Sequence, residues 1–211
     1  MKVLVACEES QAVCIAFRKL GHEAYSCDTQ ECSGGHPEWH IKGDVLPLIN
    51  GNKPFITMDG DLHAIVGTWD LLIAFPPCTY LTNAGSVRLR IKGEINKERM
   101  AKAVEAKAFF MKFLEADCQK ICVENPTPGK IHQLPQYTQA IQPWWFGHPY
   151  TKRTCLWLKN LPPLTPTDII REGVTPYVNG GCKDAHGNYR RFQGRNAVSY
   201  THLTLPTILR V

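Results

Sequence analysis

A cysteine and a carboxylic acid each follow a strongly apolar segment of the chain, and both residue types can carry chemistry. Cys78 comes directly after the run "WDLLIAF" and two prolines, and Glu124 falls near the end of the run "QKICVEN". A thiolate is a strong nucleophile, and a partly protonated carboxyl group can donate a proton to a ring nitrogen. The pair therefore suits attack on C6 of a pyrimidine that is protonated at N3, which makes C5 nucleophilic enough to accept a methyl group. We expect the neighbouring Asn125 to orient this pair or to hold the base.

The elements that must position these residues are short strands that end at one edge of a sheet. Short apolar or β-branched runs typical of buried strands are "KVLVAC", "HEAYSCD", "HIK", "WDLLIAF", "QKICVEN" and "TCLWL". Helices are predicted from a Ser10 cap to a Gly21 stop and over residues 96–117, and Asp59-Gly60 indicates a hairpin within residues 55–65. The order β-α-β-β-hairpin-β-α-β-α-β predicts an α/β fold with a doubly wound, mostly parallel sheet of Rossmann-like type.

Ligands of such sheets bind beyond the carboxyl ends of the strands. The residues predicted at those ends are Glu8, Asp28, Asp44, Cys78 and Glu124. Asp28, after the second strand, is placed to accept hydrogen bonds from ribose hydroxyls, and Asp44, after the third, is placed to face an adenine amino group. The alternative for both aspartates is capping or turn chemistry.

The first turn, "ACEESQAV", lacks the glycine-rich loop that brings the backbone close to phosphates. This absence argues against NAD or ATP as the ligand. It favours a cofactor without phosphate, such as S-adenosylmethionine.

Four segments resemble motifs of the cytosine-C5 DNA methyltransferases, in that family's order along the chain. "GDV" (43–45) is similar to the cofactor-adenine motif, "DLLIAFPPC" (70–78) to the Pro-Cys motif, "CVENP" (122–126) to the Glu-Asn-Val motif, and "WFGHPYTKRTCLWL" (145–158) to the Tyr-Gly-Val-Pro-Gln-x-Arg-x-Arg segment before the last strand. More closely, "CEESQAV", "GHEAYSCD" and "GHPEWHIKGDV" resemble small members of the family carried by phages and prophages. The resemblance covers residues 2 to 160 of the chain.

The resemblance implies transfer of a methyl group from S-adenosylmethionine to C5 of cytosine in DNA, with the target base flipped out of the duplex. It implies these catalytic residues: Cys78 as the nucleophile, Glu124 as the N3 proton donor, Asn125 as its neighbour in the motif and Arg153 as a basic group. It implies that Asp28 and Asp44 hold the ribose and adenine of the cofactor, and we also assign Cys7, Glu8 and Pro76 to the cofactor site. No metal, membrane or obligate protein partner is expected.

The chain departs from the family pattern in three places. "CEESQAV" replaces the Phe-x-Gly-x-Gly cofactor loop, and the large target-recognition region is missing. Lys152 takes the place of the first arginine of the last motif and Thr154 that of the second, with Arg153 between them. An alternative is therefore a catalytically impaired relic that binds nucleic acid or cofactor.

An amino-methyltransferase is a further alternative. Its Asp/Asn/Ser-Pro-Pro-aromatic motif is not matched, because Phe75 replaces the polar first residue and Cys78 the aromatic one.

A zinc site is the alternative for the segment after the second strand. Cys27, Cys32, His36 and His40 form a C-x4-C-x3-H-x3-H string. Cys27 falls inside the predicted strand, pointing opposite to Asp28, and the first spacing is long for zinc. We favour a loop that folds over the adenosine, with Trp39 as a stacking or packing group.

Composition and charge agree with a cytoplasmic, nucleic-acid-related protein. The 211 residues are 44% hydrophobic and 20% charged, which suffices for a normal core, and the net charge of +5 fits a polyanionic partner. The basic segment 88–99 is either a solvated surface or a contact for DNA phosphates. The sequence contains nine cysteines, and we find neither a secretory leader before them nor an apolar run long enough to span a bilayer. We therefore expect the cysteines to be reduced thiols.

The last residues of the chain look foreign to the fold. "VSYTHLTLPT" matches what a common sequencing adapter encodes in one reading frame. We expect residues 1–196 to form a single catalytic domain and residues 197–211 to be a non-native tail.

Overall fold

A seven-stranded sheet organises the protein, as seen in a computed structural model that describes residues 1–91, 93–176, 182–183 and 189–190. The strands are β1 (Lys2–Ala6), β2 (Glu23–Asp28), β3 (His40–Lys42), β4 (Pro54–Ile56), β5 (Leu62–Ala64), β6 (Leu71–Ala74), β7 (Arg90–Ile91), β8 (Glu94–Ile95), β9 (Lys120–Pro126), β10 (Gln139–Ile141), β11 (Tyr150–Thr151), β12 (Thr154–Lys159), β13 (Thr175–Pro176), β14 (Cys182–Lys183) and β15 (Tyr189–Arg190). The α-helices are α1 (Ala12–Lys19), α2 (Asn83–Ser86) and α3 (Lys97–Leu114). Short 3₁₀ helices cover Pro37–Trp39, Leu46–Leu48, Val87–Leu89, Lys130–His132 and Pro143–Trp145. The predicted domain boundary at residue 196 and the predicted tail lie outside the described residues.

The strand order in the sheet is β10-β12-β9-β6-β1-β2-β3. The five strands from β9 to β3 in this order run parallel, and β12 runs antiparallel to both of its neighbours. The chain reverses its direction across the sheet between β1 and β6, which is the switch point where doubly wound folds bind ligands. The predicted α/β fold with a doubly wound, mostly parallel sheet is confirmed.

Apolar side chains cover both faces of the sheet. Leu72 of β6 packs on the face that carries Phe110 and Phe113 of α3, whereas Leu71 and its neighbours pack on the face that carries Phe17 of α1. A strand buried on both faces has no polar side to alternate with. This explains the unbroken apolar runs in the sequence.

The helix ends agree only partly with the sequence prediction. Asn96 Oδ1 accepts a hydrogen bond from Arg99 N (3.0 Å) and caps α3, which ends three residues before the predicted limit of 117. Gly21, at φ 81°, ends α1 as predicted. Contrary to the prediction, the N-cap residue of α1 is Gln11 and not Ser10. Ser10 Oγ accepts a long hydrogen bond from Ala12 N (3.5 Å), and the carboxyl group of Glu8 accepts from Val13 N and Cys14 N.

The chain between β9 and β12 differs from the predicted order. No α-helix occurs in this fully described stretch, which instead contains β10, β11 and two 3₁₀ helices. Prolines at positions 126, 128, 135, 143 and 149 remove backbone donors and break any helical run there. The predicted hairpin is present as β4 and β5, which pair antiparallel. In the described part of the chain, no helix is both long and apolar enough to cross a membrane.

Candidate active site

Cys78 lies just beyond the carboxyl end of β6. The strand continues past its last residue through a hydrogen bond from Phe75 N to Ala6 O (3.0 Å), and Pro76 is buried behind it. A tight turn then begins at Cys78, whose carbonyl oxygen accepts hydrogen bonds from Leu81 N (3.1 Å) and Thr82 N (3.2 Å). The half-buried thiol is therefore held at the ligand-binding edge of the sheet.

Backbone hydrogen bonds tie this turn to the segment that follows β9. Asn83 N donates to Thr127 O and Gly129 N donates to Leu81 O, both at 2.8 Å. A Cβ atom at Gly129 would clash with Ser86 Oγ and lie 3.0 Å from His132 Cδ2, so a side chain there would displace Ser86. The loop after the nucleophile candidate is thus fixed to the end of the strand that carries Glu124.

Glu124 is a buried carboxyl group with a free oxygen. Its residue is 6% exposed, and Oε1 has no hydrogen-bond partner among the described residues. Burial raises the pKa of Glu124 to about 7, while the positive charge of Lys152 acts to lower it. A buried, unpartnered carboxyl oxygen calls for a partner such as a ligand atom or a water, and this pKa lets the group donate a proton near neutral pH.

Cys78, Glu124 and Lys152 form one electrostatic cluster. The pKa of the Cys78 thiol is raised first by burial and then by the negative charge of Glu124, and it is lowered by Lys152. β6 and β9 pair with Ala74 opposite Val123, and adjacent strands are about 4.8 Å apart, so the turn that follows β6 and the end of β9 lie at the same edge of the sheet. The structure brings together the thiol and the carboxyl group that the sequence pairs.

Of the two adjacent basic residues, Lys152 faces this cluster and Arg153 does not. Arg153 is exposed, donates from Nη2 to the Tyr137 hydroxyl (2.6 Å), and its guanidinium lies 5.7 Å from the centre of that ring. Residues that follow one another in an extended chain point in opposite directions, so only one of the two can face the thiol. The sequence analysis assigns the catalytic basic group to Arg153. The sequence feature that could have indicated Lys152 instead is its match to the first arginine of the motif.

Asn125 points away from Glu124, because neighbours in a strand project to opposite faces. The residue is fully buried, and its Nδ2 donates to Pro126 O at the end of β9. Among the described residues its Oδ1 has no partner. Asn125 therefore makes a hydrogen bond within the turn after β9, and its expected contact with the base stays a prediction.

The two aspartates predicted to bind the cofactor meet at the ends of β2 and β3. Asp28 and Asp44 both act on the Cys7 and Cys27 thiols, whose pKa values are raised first by burial and then by these negative charges. Asp28 Oδ1 accepts from Gln30 N (2.9 Å) and Asp44 Oδ1 accepts from Leu46 N (3.0 Å). Turn chemistry thus occupies one oxygen of each carboxylate.

Glu8 fills the N-terminal end of α1. The fully buried carboxylate accepts hydrogen bonds from Val13 N (2.6 Å) and Cys14 N (3.2 Å). Burial raises the pKa of Glu8 to about 8 although these two hydrogen bonds lower it. Nucleotide phosphates bind at this helix end in Rossmann-type domains. The structure therefore places Glu8 beneath α1, where the protein's own carboxyl group, mostly uncharged at neutral pH because its pKa is about 8, fills the position of a phosphate.

The turn between β1 and α1 has a strained backbone, and the loop after Asp28 packs over it. Cys7 (φ 59°) and Gln11 (φ 57°) adopt the left-handed conformation that disfavours residues other than glycine. The Gln11 side chain accepts from His36 N (3.1 Å) and donates to His36 O (2.8 Å). At Gly34 an added Cβ would lie 2.7 Å from both the Gln11 side chain and Ser10 O. The loop after Asp28 thus packs on the first turn.

This covering loop is held by packing. Trp39 stacks on His36, with ring centres 4.0 Å apart. Of the two roles predicted for Trp39, stacking or packing, this contact is packing within the loop. Among the described residues, no three His, Cys, Asp or Glu side chains are grouped closely enough to hold a metal ion, so the C-x4-C-x3-H-x3-H string does not form a zinc site.

A depression on the surface lies apart from these residues. Its volume is about 540 Å³, and its lining residues are Trp144, Ile169, Ile170, Arg171 and Val174. None of the residues discussed above contributes to it. The candidate residues at the strand ends therefore do not line this depression.

Comparison with known proteins gives only distant likenesses. No family model matches the sequence, and no curated protein does. Among solved structures, the chain is similar to a prophage-encoded E. coli protein described as a candidate DNA modification methyltransferase (TM-score 0.43, 12% identity, 80% of this chain and 51% of that chain). It is also similar to an rRNA methylase from Escherichia coli (TM-score 0.37, 16% identity, 74% and 56%) and to the methyltransferase EhMeth of Entamoeba histolytica (TM-score 0.41, 12% identity, 80% and 57%). The chain spans about half the length of these proteins.

Proposed function

We propose that the protein transfers a methyl group from S-adenosylmethionine to C5 of cytosine in DNA through a covalent bond between Cys78 and C6. The observation that carries the proposal is the pairing of the Cys78 thiol with the buried Glu124 carboxyl group at the ends of two adjacent parallel strands. Glu124 has an oxygen without a partner and a pKa of about 7. A nucleophile beside a proton donor is the arrangement that attack on a pyrimidine ring needs.

Each residue of the cluster has a defined part in the proposed reaction. Cys78 loses its proton to solvent, and a sulfur electron pair forms the bond to C6 of the cytosine. Glu124 donates its proton to N3, and the C5=C6 electron pair becomes available at C5. Lys152 favours the thiolate because it lowers the pKa of Cys78. S-adenosylmethionine, when bound, would supply the electrophilic methyl group that C5 accepts, and S-adenosylhomocysteine would leave with the electron pair of the broken S–CH3 bond.

The same residues release the product. The C5 proton leaves to solvent water, and its electron pair re-forms the C5=C6 bond. The electrons of the S–C6 bond return to Cys78, which regains a proton. The N3 proton returns to Glu124. One proton is released in total, and the protein ends in its starting state.

The residues at the ends of β1 to β3 fit a cofactor without phosphate. Glu8 occupies the helix end where a phosphate would bind, which excludes an anion from that position. Asp28 and Asp44 come to the adjoining edge, where one oxygen of each takes part in a local turn. Both are proposed to accept hydrogen bonds from the adenosine part of S-adenosylmethionine. Cys7 is proposed to line the same space, with Pro76 at the border with the Cys78 turn.

Methyl transfer from labelled S-adenosylmethionine to cytosine-containing duplex DNA tests the proposal. Cys78→Ser should abolish transfer, because a hydroxyl is a much weaker nucleophile than a thiolate. Cys32→Ser is the matched control, since Cys32 is also a half-buried free cysteine. It should retain activity.

The outcomes separate the alternatives. Transfer that persists in Cys78→Ser would contradict the nucleophile assignment, and a label found on the N4 amino group would identify an amino-methyltransferase. DNA or cofactor binding without any transfer would identify a binding relic. Replacement of the C5 hydrogen, detected by loss of tritium from 5-tritiated cytosine, supports the proposal.

A further inference from the structure

A second depression opens beside the Cys78 turn and is rich in basic groups. Its volume is about 250 Å³, and its lining residues are Tyr80, Arg88, Asn96, Glu98, Arg99 and Lys102. Tyr80 is two residues beyond Cys78 and lies within the turn that Cys78 begins. Two residues apart, the Cα atoms are separated by at most about 7 Å. A ligand in this depression is therefore a close neighbour of a base at Cys78.

Arg99 holds Tyr80 in place. The guanidinium of Arg99 lies 5.0 Å from the centre of the Tyr80 ring, which is the geometry of a cation–π contact. Its Nη2 donates to Thr79 O and to Gly85 O, both at 3.2 Å. These bonds anchor the arginine to backbone that precedes and follows Tyr80 in the sequence. The ring is half-buried, so it forms a fixed platform that is still open to a ligand.

The charges of the depression are mainly positive. Arg88, Arg99 and Lys102 face a single carboxylate, that of Glu98, which lies 2.9 Å from Lys102 in an ion pair. Arg88 and Lys102 are both exposed at the rim. The depression thus combines an aromatic platform with cations at its edge. These are the two features that bind a base and its phosphate in single-stranded nucleic acids.

We propose that this depression holds the nucleotide next to the target base where that nucleotide is unpaired, with its base stacked on Tyr80 and its phosphate at Arg88 and Lys102. That the bound strand is a methyl acceptor rests on the proposed function. That the depression binds a base together with its phosphate is argued from its own residues and does not rest on the proposed function. The site lets a strand enter the Cys78 cluster in one register, because one nucleotide is fixed beside the one that reacts.

The test is binding of a short, fluorescently labelled, cytosine-containing single-stranded DNA, measured by anisotropy over a series of salt concentrations. Tyr80→Ala should weaken binding about 5- to 150-fold with an unchanged salt dependence, because stacking is lost and charge is kept. Tyr80→Phe should bind like the unaltered protein. Arg88→Gln should reduce the slope of log affinity against log salt by about 0.7, the value for one phosphate contact on a single strand.

Lys112→Gln is the matched control. Lys112 is exposed on the same helix, α3, and lies about 15 Å along it from Lys102. It should leave both affinity and salt slope unchanged. Circular dichroism melting of each variant checks that the fold is kept.

Several results would overturn the inference. These are Tyr80→Ala binding as tightly as Lys112→Gln, Tyr80→Phe binding as weakly as Tyr80→Ala, or Lys112→Gln and Arg88→Gln changing the salt slope equally. The same measurement is made with RNA of the same sequence and with a free mononucleotide. Binding that depends on Tyr80 supports the site, and the ligand for which it is found identifies the kind of nucleic acid or nucleotide that the site binds. Tyr80-dependent binding without Cys78-dependent methylation would refute the proposed function alone, whereas methylation with unchanged Tyr80→Ala affinity would refute this inference alone.

Discussion

Removal of the positive charge at Lys152 should make the Cys78 thiol less acidic. Lys152 acts on Cys78 and Glu124 together, and it lowers the pKa of each. In Lys152→Gln both pKa values should rise, because the charged forms of both groups lose a favourable partner. Less thiolate is then present at neutral pH.

The size of the effect follows from the exposure of Lys152. An opposite charge within about 4–6 Å lowers a carboxyl pKa by roughly one to three. Lys152 is only half-buried, so solvent screens part of its field and the lower end of that range applies. We expect the pKa of Cys78 to rise in Lys152→Gln, so that the thiolate fraction and the alkylation rate at neutral pH fall by roughly an order of magnitude. The alkaline limb of methylation, set by protonated Glu124, should move upwards from pH 7.

The rate of alkylation of Cys78 by iodoacetamide, followed by mass spectrometry from neutral to alkaline pH, measures the thiolate directly and needs no methyl transfer. Arg153→Gln is the discriminating partner variant, because Arg153 is adjacent but binds Tyr137 at the surface. Lys159→Gln, at the far end of β12, controls for net charge. An alkylation profile that shifts more in Arg153→Gln than in Lys152→Gln, or equally in all three variants, would refute the assignment of Lys152.

Two further predictions concern the cofactor end of the sheet. The pKa of Glu8 is about 8 in the folded protein and 4.5 as the reference for the unfolded chain, so the native state binds more protons and the free energy of unfolding should fall as pH rises from 4.5 to 8. Glu8→Gln should flatten this decline, measured by urea unfolding across that range, and an unchanged pH dependence would contradict the buried carboxylate. Asp28→Asn should weaken the binding of S-adenosylhomocysteine, measured by calorimetry, by roughly 10- to 100-fold, which is the usual value of a hydrogen bond to a charged group. The control Asp59→Asn, in the β4–β5 hairpin, should leave this affinity unchanged. Equal affinities of the two variants would show that Asp28 does not bind the cofactor.

The sequence contains enough information to predict the parallel part of the sheet. Unbroken apolar runs such as residues 71–74 predict strands buried on both faces, and this is how β6 packs between α1 and α3. β10, which forms one edge, escaped prediction because its three residues have too little pattern to distinguish a strand from a loop.

The meeting of Cys78 and Glu124 is also predictable, since both follow neighbouring strands. The direction of side chains in short or irregular segments is not. Lys152 and Arg153 have the same charge, and only the pairing of β12 with β9 decides which of them faces the thiol. Glu8 follows β1, where a ligand-binding residue is expected. Its carboxyl group instead binds N–H groups of α1, and this contact depends on how α1 packs, which the position of Glu8 after a strand does not predict.

The most direct test of the central claim is a covalent trap. DNA that carries 5-fluorocytosine cannot lose its C5 substituent after methylation, so the bond from sulfur to C6 should persist. The protein is incubated with this DNA and S-adenosylmethionine, digested, and analysed by mass spectrometry. We predict a methylated fluorocytosine adduct on the peptide that contains Cys78, absent in Cys78→Ser and present in Cys32→Ser. An adduct on another cysteine, or methylation of ordinary cytosine DNA without any trapped adduct, would contradict the account.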